Sequence, residues 1–120
     1  MPNALYLEIE FMPHCIVEYA KPLENHIKIA DLITELFEGM ESTELFDRAA
    51  IKVRAIASDH FLTGSDKQLY VHTTIKLLPG RSSQQKEVLG TKLLETKRQK
   101  LADQAMLSVE IVDLNEAYFK

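Results

Sequence analysis

The stretch Gln68-Leu69-Tyr70-Val71-His72-Thr73-Thr74-Ile75-Lys76-Leu77-Leu78-Pro79-Gly80-Arg81-Ser82-Ser83-Gln84-Gln85 decides the fold. Leu69, Val71, Thr73, Ile75 and Leu77 alternate with Tyr70, His72, Thr74, Lys76 and Leu78, the period-two pattern of a strand. Pro79-Gly80 ends it. Ser82 stands three residues before Gln85, the spacing of a capping box, so a helix starts at once. Helical spacing carries it to about residue 104, with Val88, Leu89, Leu93, Thr96, Leu101 and Ala105 as its inner stripe. A last strand is expected over residues 108–114. Strand, helix and strand in succession make a βαβ unit, whose crossover favours parallel pairing and a right-handed connection.

The same order stands upstream. His14-Cys15-Ile16-Val17-Glu18-Tyr19 is rich in β-branched and aromatic residues and reads as a strand. Pro22 suits a first helical turn. Leu23, Ile27, Ala30, Ile33, Leu36, Phe37 and Met40 then recur at helical spacing, so a helix is expected over residues 22–41. Residues 49–58 return to period two, with Ile51, Val53, Ala55 and Ala57 on one side and Lys52, Arg54 and Ile56 on the other. Residues 58–66 carry turn chemistry and read as a loop. The expected fold is therefore α+β: two consecutive βαβ units forming one four-stranded sheet, with both helices on one face. The other face would be bare. Its apolar residues predict contact with another subunit, hence an oligomer.

A chain of 120 residues suits one domain. The expected division is an N-terminal extension, residues 1–11, followed by a single domain, residues 12–120. The net charge of −4 argues against a broad nucleic-acid surface, so any cationic group that binds substrate must act locally. The single cysteine, Cys15, fits a reducing compartment. No apolar run approaches the roughly 20 residues that span a bilayer. The first ten residues lack the basic start of a signal peptide. Cytoplasmic location, with no membrane partner, is the expectation.

The four histidines, His14, His26, His60 and His72, show no metal-ligand spacing, and each reads as a solvated or core side chain. Cys15, among apolar strand residues, reads as a buried inert thiol. Gly80-Arg81-Ser82-Ser83 is a candidate anion site: amide groups and the helix dipole favour an anion, and Arg81 adds a forked donor. Lys52 and Arg54 share a strand face, and where that face is covered they require anionic partners. Met12-Pro13 opens the first strand like an internal translation start. Loss of the methionine would leave Pro13 with a free secondary amine. A free α-amino group has a pKa of about 8, and nearby cations and partial desolvation lower it. Neutral at pH 7, it is a competent general base.

Met12-Pro13-His14-Cys15-Ile16-Val17-Glu18-Tyr19, Val71-His72-Thr73-Thr74-Ile75-Lys76, Gly80-Arg81-Ser82 and Leu107-Ser108-Val109-Glu110-Ile111 together resemble the 5-carboxymethyl-2-hydroxymuconate isomerase family of the tautomerase superfamily. The resemblance runs from Met12 to Lys120. It implies a homotrimer with active sites near subunit contacts, no cofactor and no metal. It implies a place in aromatic-compound catabolism. The substrate is expected to be a small dicarboxylate or keto/enol acid, within which Pro13 moves a proton between carbons. Arg81 is expected to bind a carboxylate or stabilise the dienolate. Lys52 stands where the family usually has arginine, keeping the charge and losing the fork. Arg54 matches a second basic position.

Residues 1–11 depart from the family pattern. With them attached, the nitrogen of Pro13 is an amide without useful basicity. Three readings follow. Met12 is the true start, and the extension is an artefact of gene prediction or expression. Or the extension is real, and the chain is a non-catalytic oligomeric binding or scaffold protein on this fold. Or Pro2, also behind a methionine, takes the role of Pro13.

Overall fold

The computed structural model describes residues 13–64 and 68–119. The expected extension and the end of the 58–66 loop lie outside the described residues. Four strands form one sheet: β1 (His14–Ala20), β2 (Lys52–Ser58), β3 (Tyr70–Leu77) and β4 (Met106–Asp113). Their order is β2-β1-β3-β4. β1 pairs parallel with β2, and β3 parallel with β4. The two βαβ units meet along the antiparallel β1–β3 pair. Helix α1 (Ile29–Ser42) crosses the first unit and α2 (Ser83–Leu101) the second.

Alternation explains which face is covered. Cys15, Val17 and Tyr19 of β1 and Val71, Ile75 and Leu77 of β3 are buried with Leu32, Leu36 and Met40 of α1 and Leu89, Leu93 and Leu101 of α2. Both helices thus share one sheet face, as the period-two and helical patterns require. Gly39 permits their close approach. A Cβ there would stand 3.2 Å from Thr96 Oγ1 and 3.4 Å from Leu93 Cδ2 across the helix pair. The intervening residues of each strand line the opposite face, where Ile56 is 51% and Met106 46% exposed in the single chain. No helix among the described residues is long and apolar enough to cross a membrane.

Several boundaries differ from the sequence expectation. The helix expected over 22–41 is split into a 3₁₀ turn, Lys21–Asn25, and α1. Leu23 is fully buried, and its carbonyl accepts from both His26 N and Ile27 N. Asn25 and His26 are weak helix formers, so the chain turns there before α1 begins. The strand expected from residue 49 starts at Lys52, because Arg48–Ala50 form a 3₁₀ turn. Helix α2 stops at Leu101, not near 104, where Ala102 adopts a positive φ of 49° and reverses the chain. Residues 102–105 are then free to lead into β4, which opens at Met106 instead of 108. The inner stripe changes accordingly. Val88 is half-exposed, and the stripe instead includes Lys97, which is fully buried.

The expected capping box is present. Ser82 Oγ accepts from Gln85 N at 3.1 Å, and Gln85 Oε1 accepts from Ser82 N at 2.8 Å. Ser82→Ala should lower stability by about 1 kcal/mol, measured by urea unfolding with an unchanged slope. An unchanged midpoint would show that the box carries none of the helix start.

Candidate active site

Strand register places the candidate residues. Pro13 is buried immediately before β1, and its carbonyl accepts from Lys52 N at 3.3 Å. His14 is paired with Lys52 on one side and Lys76 on the other. Arg54 is two residues beyond Lys52 on the same face of β2. Lys52, Arg54 and Lys76 thus surround the entry of β1, three cations gathered at one end of an acidic chain. The sequence singled out Lys52 and Arg54. Lys76 went unremarked because it lies on a different unit, and only the antiparallel register brings it to His14.

Each cation is held differently. Lys52 Nζ donates to Ala50 O at 2.8 Å, closing the turn before β2. Arg54 Nη1 lies 3.4 Å from His14 Nδ1. Arg81 follows β3 by four residues and so lies at the same end of the sheet, since the end of β3 adjoins the start of β1. Its Nη2 donates to Leu45 O at 2.5 Å, and its guanidinium carbon stands 5.3 Å from the centroid of the Phe46 ring. Arg81 is therefore braced by the segment that leads into β2. The amide cradle expected at the start of α2 is smaller than the sequence implied. The capping box occupies the Ser82 and Gln85 N–H groups, and Lys86 N donates to Ser82 O. An anion at this helix start would have the Ser83 and Gln84 amides and the Arg81 side chain.

His14 has a second partner that sequence reading missed. Its Nε2 lies 3.0 Å from the Tyr118 hydroxyl, with the rings edge-on at 6.0 Å. The tail reaches it by a turn: Leu114 N donates to Leu77 O, Ala117 N to Asn115 Oδ1 and Tyr118 N to Asn115 O. Partial burial, and then the charges of Lys52, Arg54 and Lys76, lower the pKa of His14. The ring is therefore held toward its neutral form. An acidic Asn-Glu-Ala turn hid this contact, because nothing in its spacing fixes where a tail returns.

Below the sheet, Cys15 is buried and its thiol is pushed up to about 12, mainly by burial. It is inert at neutral pH, as its apolar neighbours imply. Lys97 Nζ donates to Thr73 Oγ1 at 2.9 Å, to Val71 O and to Ser108 O. Its three protons tie α2 to β3 and β4 from the helix side, away from the cation cluster. No periodicity rule anticipates a lysine there.

The fold places the chain among tautomerase-like α+β proteins. A structure of 5-carboxymethyl-2-hydroxymuconate delta-isomerase superposes with a TM-score of 0.80 at 18% identity, covering 95% of this chain and 90% of that one. A 5-carboxymethyl-2-hydroxymuconate isomerase from Deinococcus radiodurans R1 gives a TM-score of 0.79 at 24% identity, covering 95% and 92%. A fused 4-OT wild-type symmetric trimer gives 0.68 at 14%, covering 88% and 89%. Among curated proteins, none matches the chain. The family model for 5-carboxymethyl-2-hydroxymuconate isomerase matches residues 13–120, and the chain belongs to that family. It is, in class, an isomerase. The family match begins at Pro13, the residue on which the sequence reading turned.

Proposed function

We propose that the chain is a cofactor-independent tautomerase that moves a proton within a small unsaturated keto/enol dicarboxylic acid. The observation that carries this reading is the gathering of Lys52, Arg54 and Lys76 around Pro13–His14 in a chain of this family. Freed of the preceding residues, the Pro13 nitrogen is the general base. It removes a proton from one carbon, the electron pair delocalises into the conjugated carbonyl as a dienolate, and the same nitrogen returns the proton to another carbon. Arg81 and Arg54 bind the substrate's carboxylates through forked contacts, and Lys52 adds a point charge that stabilises the dienolate. The assembly proposed is a homotrimer. The bare sheet face with half-exposed Ile56 and Met106 supports burial against other subunits, and the 4-OT neighbour is described as a trimer. The proposed setting is the cytoplasm and aromatic-compound catabolism, with neither nucleic acid nor membrane as a partner.

One observation favours a second reading. Twelve residues precede Pro13 in this sequence, and a peptide-bonded proline nitrogen cannot act as a base. The full chain would then bind carboxylates without turning them over, a scaffold on an enzyme's fold. The test separates the two. Protein beginning at Pro13 should ketonise phenylenolpyruvate or 2-hydroxymuconate, with Arg81→Ala reducing kcat/KM about 10²-fold. Absence of turnover above the uncatalysed rate would sink the enzymatic reading.

A further inference from the structure

The tail contact at His14 has no part in the proton transfer just described. Arg54 offers only N–H donors, so the nitrogen facing it, His14 Nδ1, must be the bare acceptor of the imidazole. In the neutral ring the proton then sits on Nε2, which donates to the Tyr118 hydroxyl. The chain of contacts runs from the C-terminal turn, through one imidazole, to a guanidinium. His14 is also the residue directly after Pro13, and its backbone lies between those of Lys52 and Lys76.

We propose that His14 is a positioning residue: its bare Nδ1 holds the Arg54 guanidinium over the entry of β1, and its Nε2–H, donated to Tyr118, fixes the ring that does so. This rests on the reading of Arg54 as a carboxylate binder. A long arginine on an exposed strand face loses side-chain freedom when it takes up a ligand. An acceptor that holds it beforehand reduces that loss and leaves its remaining N–H groups for the ligand. The Asn115 turn presents Tyr118 to His14. Ala117 N and Tyr118 N both bond to Asn115, so the turn keeps its shape whether or not the hydroxyl is docked.

The test uses the full chain and adipate, an unreactive six-carbon diacid, as the probe. In histidine-¹⁵N-labelled protein, the His14 resonances, identified by their loss in His14→Leu, should show Nδ1 bare and Nε2 protonated. His14→Leu should weaken adipate binding about tenfold by calorimetry. His14→Asn should restore most of it, because its Oδ1 replaces the Nδ1 acceptor. Tyr118→Phe, a tail change that leaves the core and the Asn115 turn intact, should shift the His14 Nε2 resonance and weaken adipate binding less than His14→Leu does. A proton on Nδ1, or adipate binding in His14→Leu equal to wild type, would overturn the inference. So would a wild-type chain that binds no adipate. Failure of the protein beginning at Pro13 to turn over any enol acid would sink the catalytic reading alone and leave the His14 results standing.

Discussion

Trimming the chain so that Pro13 becomes its first residue should raise the rate of phenylenolpyruvate ketonisation about 10²–10⁴-fold over the full-length protein, the usual contribution of a positioned general base. The two forms differ in one chemically decisive atom. An amide nitrogen has no available lone pair, whereas a free secondary amine is a base with a pKa of about 8 before its surroundings act. Here those surroundings act in one direction. Pro13 is buried, and Lys52, Arg54 and Lys76 are grouped at the start of β1. Burial and positive neighbours both disfavour the ammonium form, so the amine's pKa should lie below its ordinary value. The active form is the neutral one. Activity should therefore be full above this pKa and fall as pH drops through it. Arg54→Ala removes one cation, so it should move the limb of the kcat/KM profile to higher pH while raising KM. Equal rates from full-length and trimmed proteins would exclude the Pro13 amine as the base.

How much of this was legible beforehand follows from the kind of signal each feature leaves. The β3–α2 junction was readable because three local rules agree there: period two, a Pro-Gly stop and a capping box with the right spacing. Both βαβ units followed, and with them the sheet and its covered face. Boundaries governed by a single buried anchor were not readable. Leu23 and the chain reversal at Ala102 act through three-dimensional packing that no window of sequence contains. The site divides the same way. Pro13, Lys52, Arg54 and Arg81 could be named from type, order and resemblance. Lys76 needed the antiparallel register, and the His14–Tyr118 contact needed the path of a tail across 104 positions. His14 itself was read as an ordinary solvated or core side chain, because a lone histidine without metal spacing carries no local sign of its partners. Lys97 ran against its own rule: lysine almost never occupies a fully buried stripe, so periodicity passed over it for Thr96 and Val88.

That lysine carries the second large effect. Lys97 is fully buried, and burial pushes its pKa down to about 8, against about 10.4 in an unfolded chain. Below about pH 8 both states hold the proton, and the whole cost of burying the charge is present. Between about pH 8 and 10.4 the unfolded chain still holds a proton that the folded chain has released, so this residue makes stability rise with pH. Other buried groups act oppositely. The Cys15 thiol and the Tyr19 hydroxyl are both held up at about 12, so they stay protonated in the folded chain while the unfolded groups ionise, and they make stability fall over the alkaline range. A wild-type pH curve alone mixes these trends. Lys97→Met separates them, since methionine keeps a long apolar stem, removes the charge and leaves Cys15 and Tyr19 in place. It also deprives Thr73 Oγ1 and the carbonyls of Val71 and Ser108 of a donor, a penalty that does not change with pH. The wild-type minus Lys97→Met difference in unfolding free energy should therefore grow by about 2–3 kcal/mol between pH 7 and pH 10, measured by urea unfolding at each pH. A difference that stays flat would mean that Lys97 titrates alike in folded and unfolded chains. Water would then reach its ammonium and keep it charged across this range.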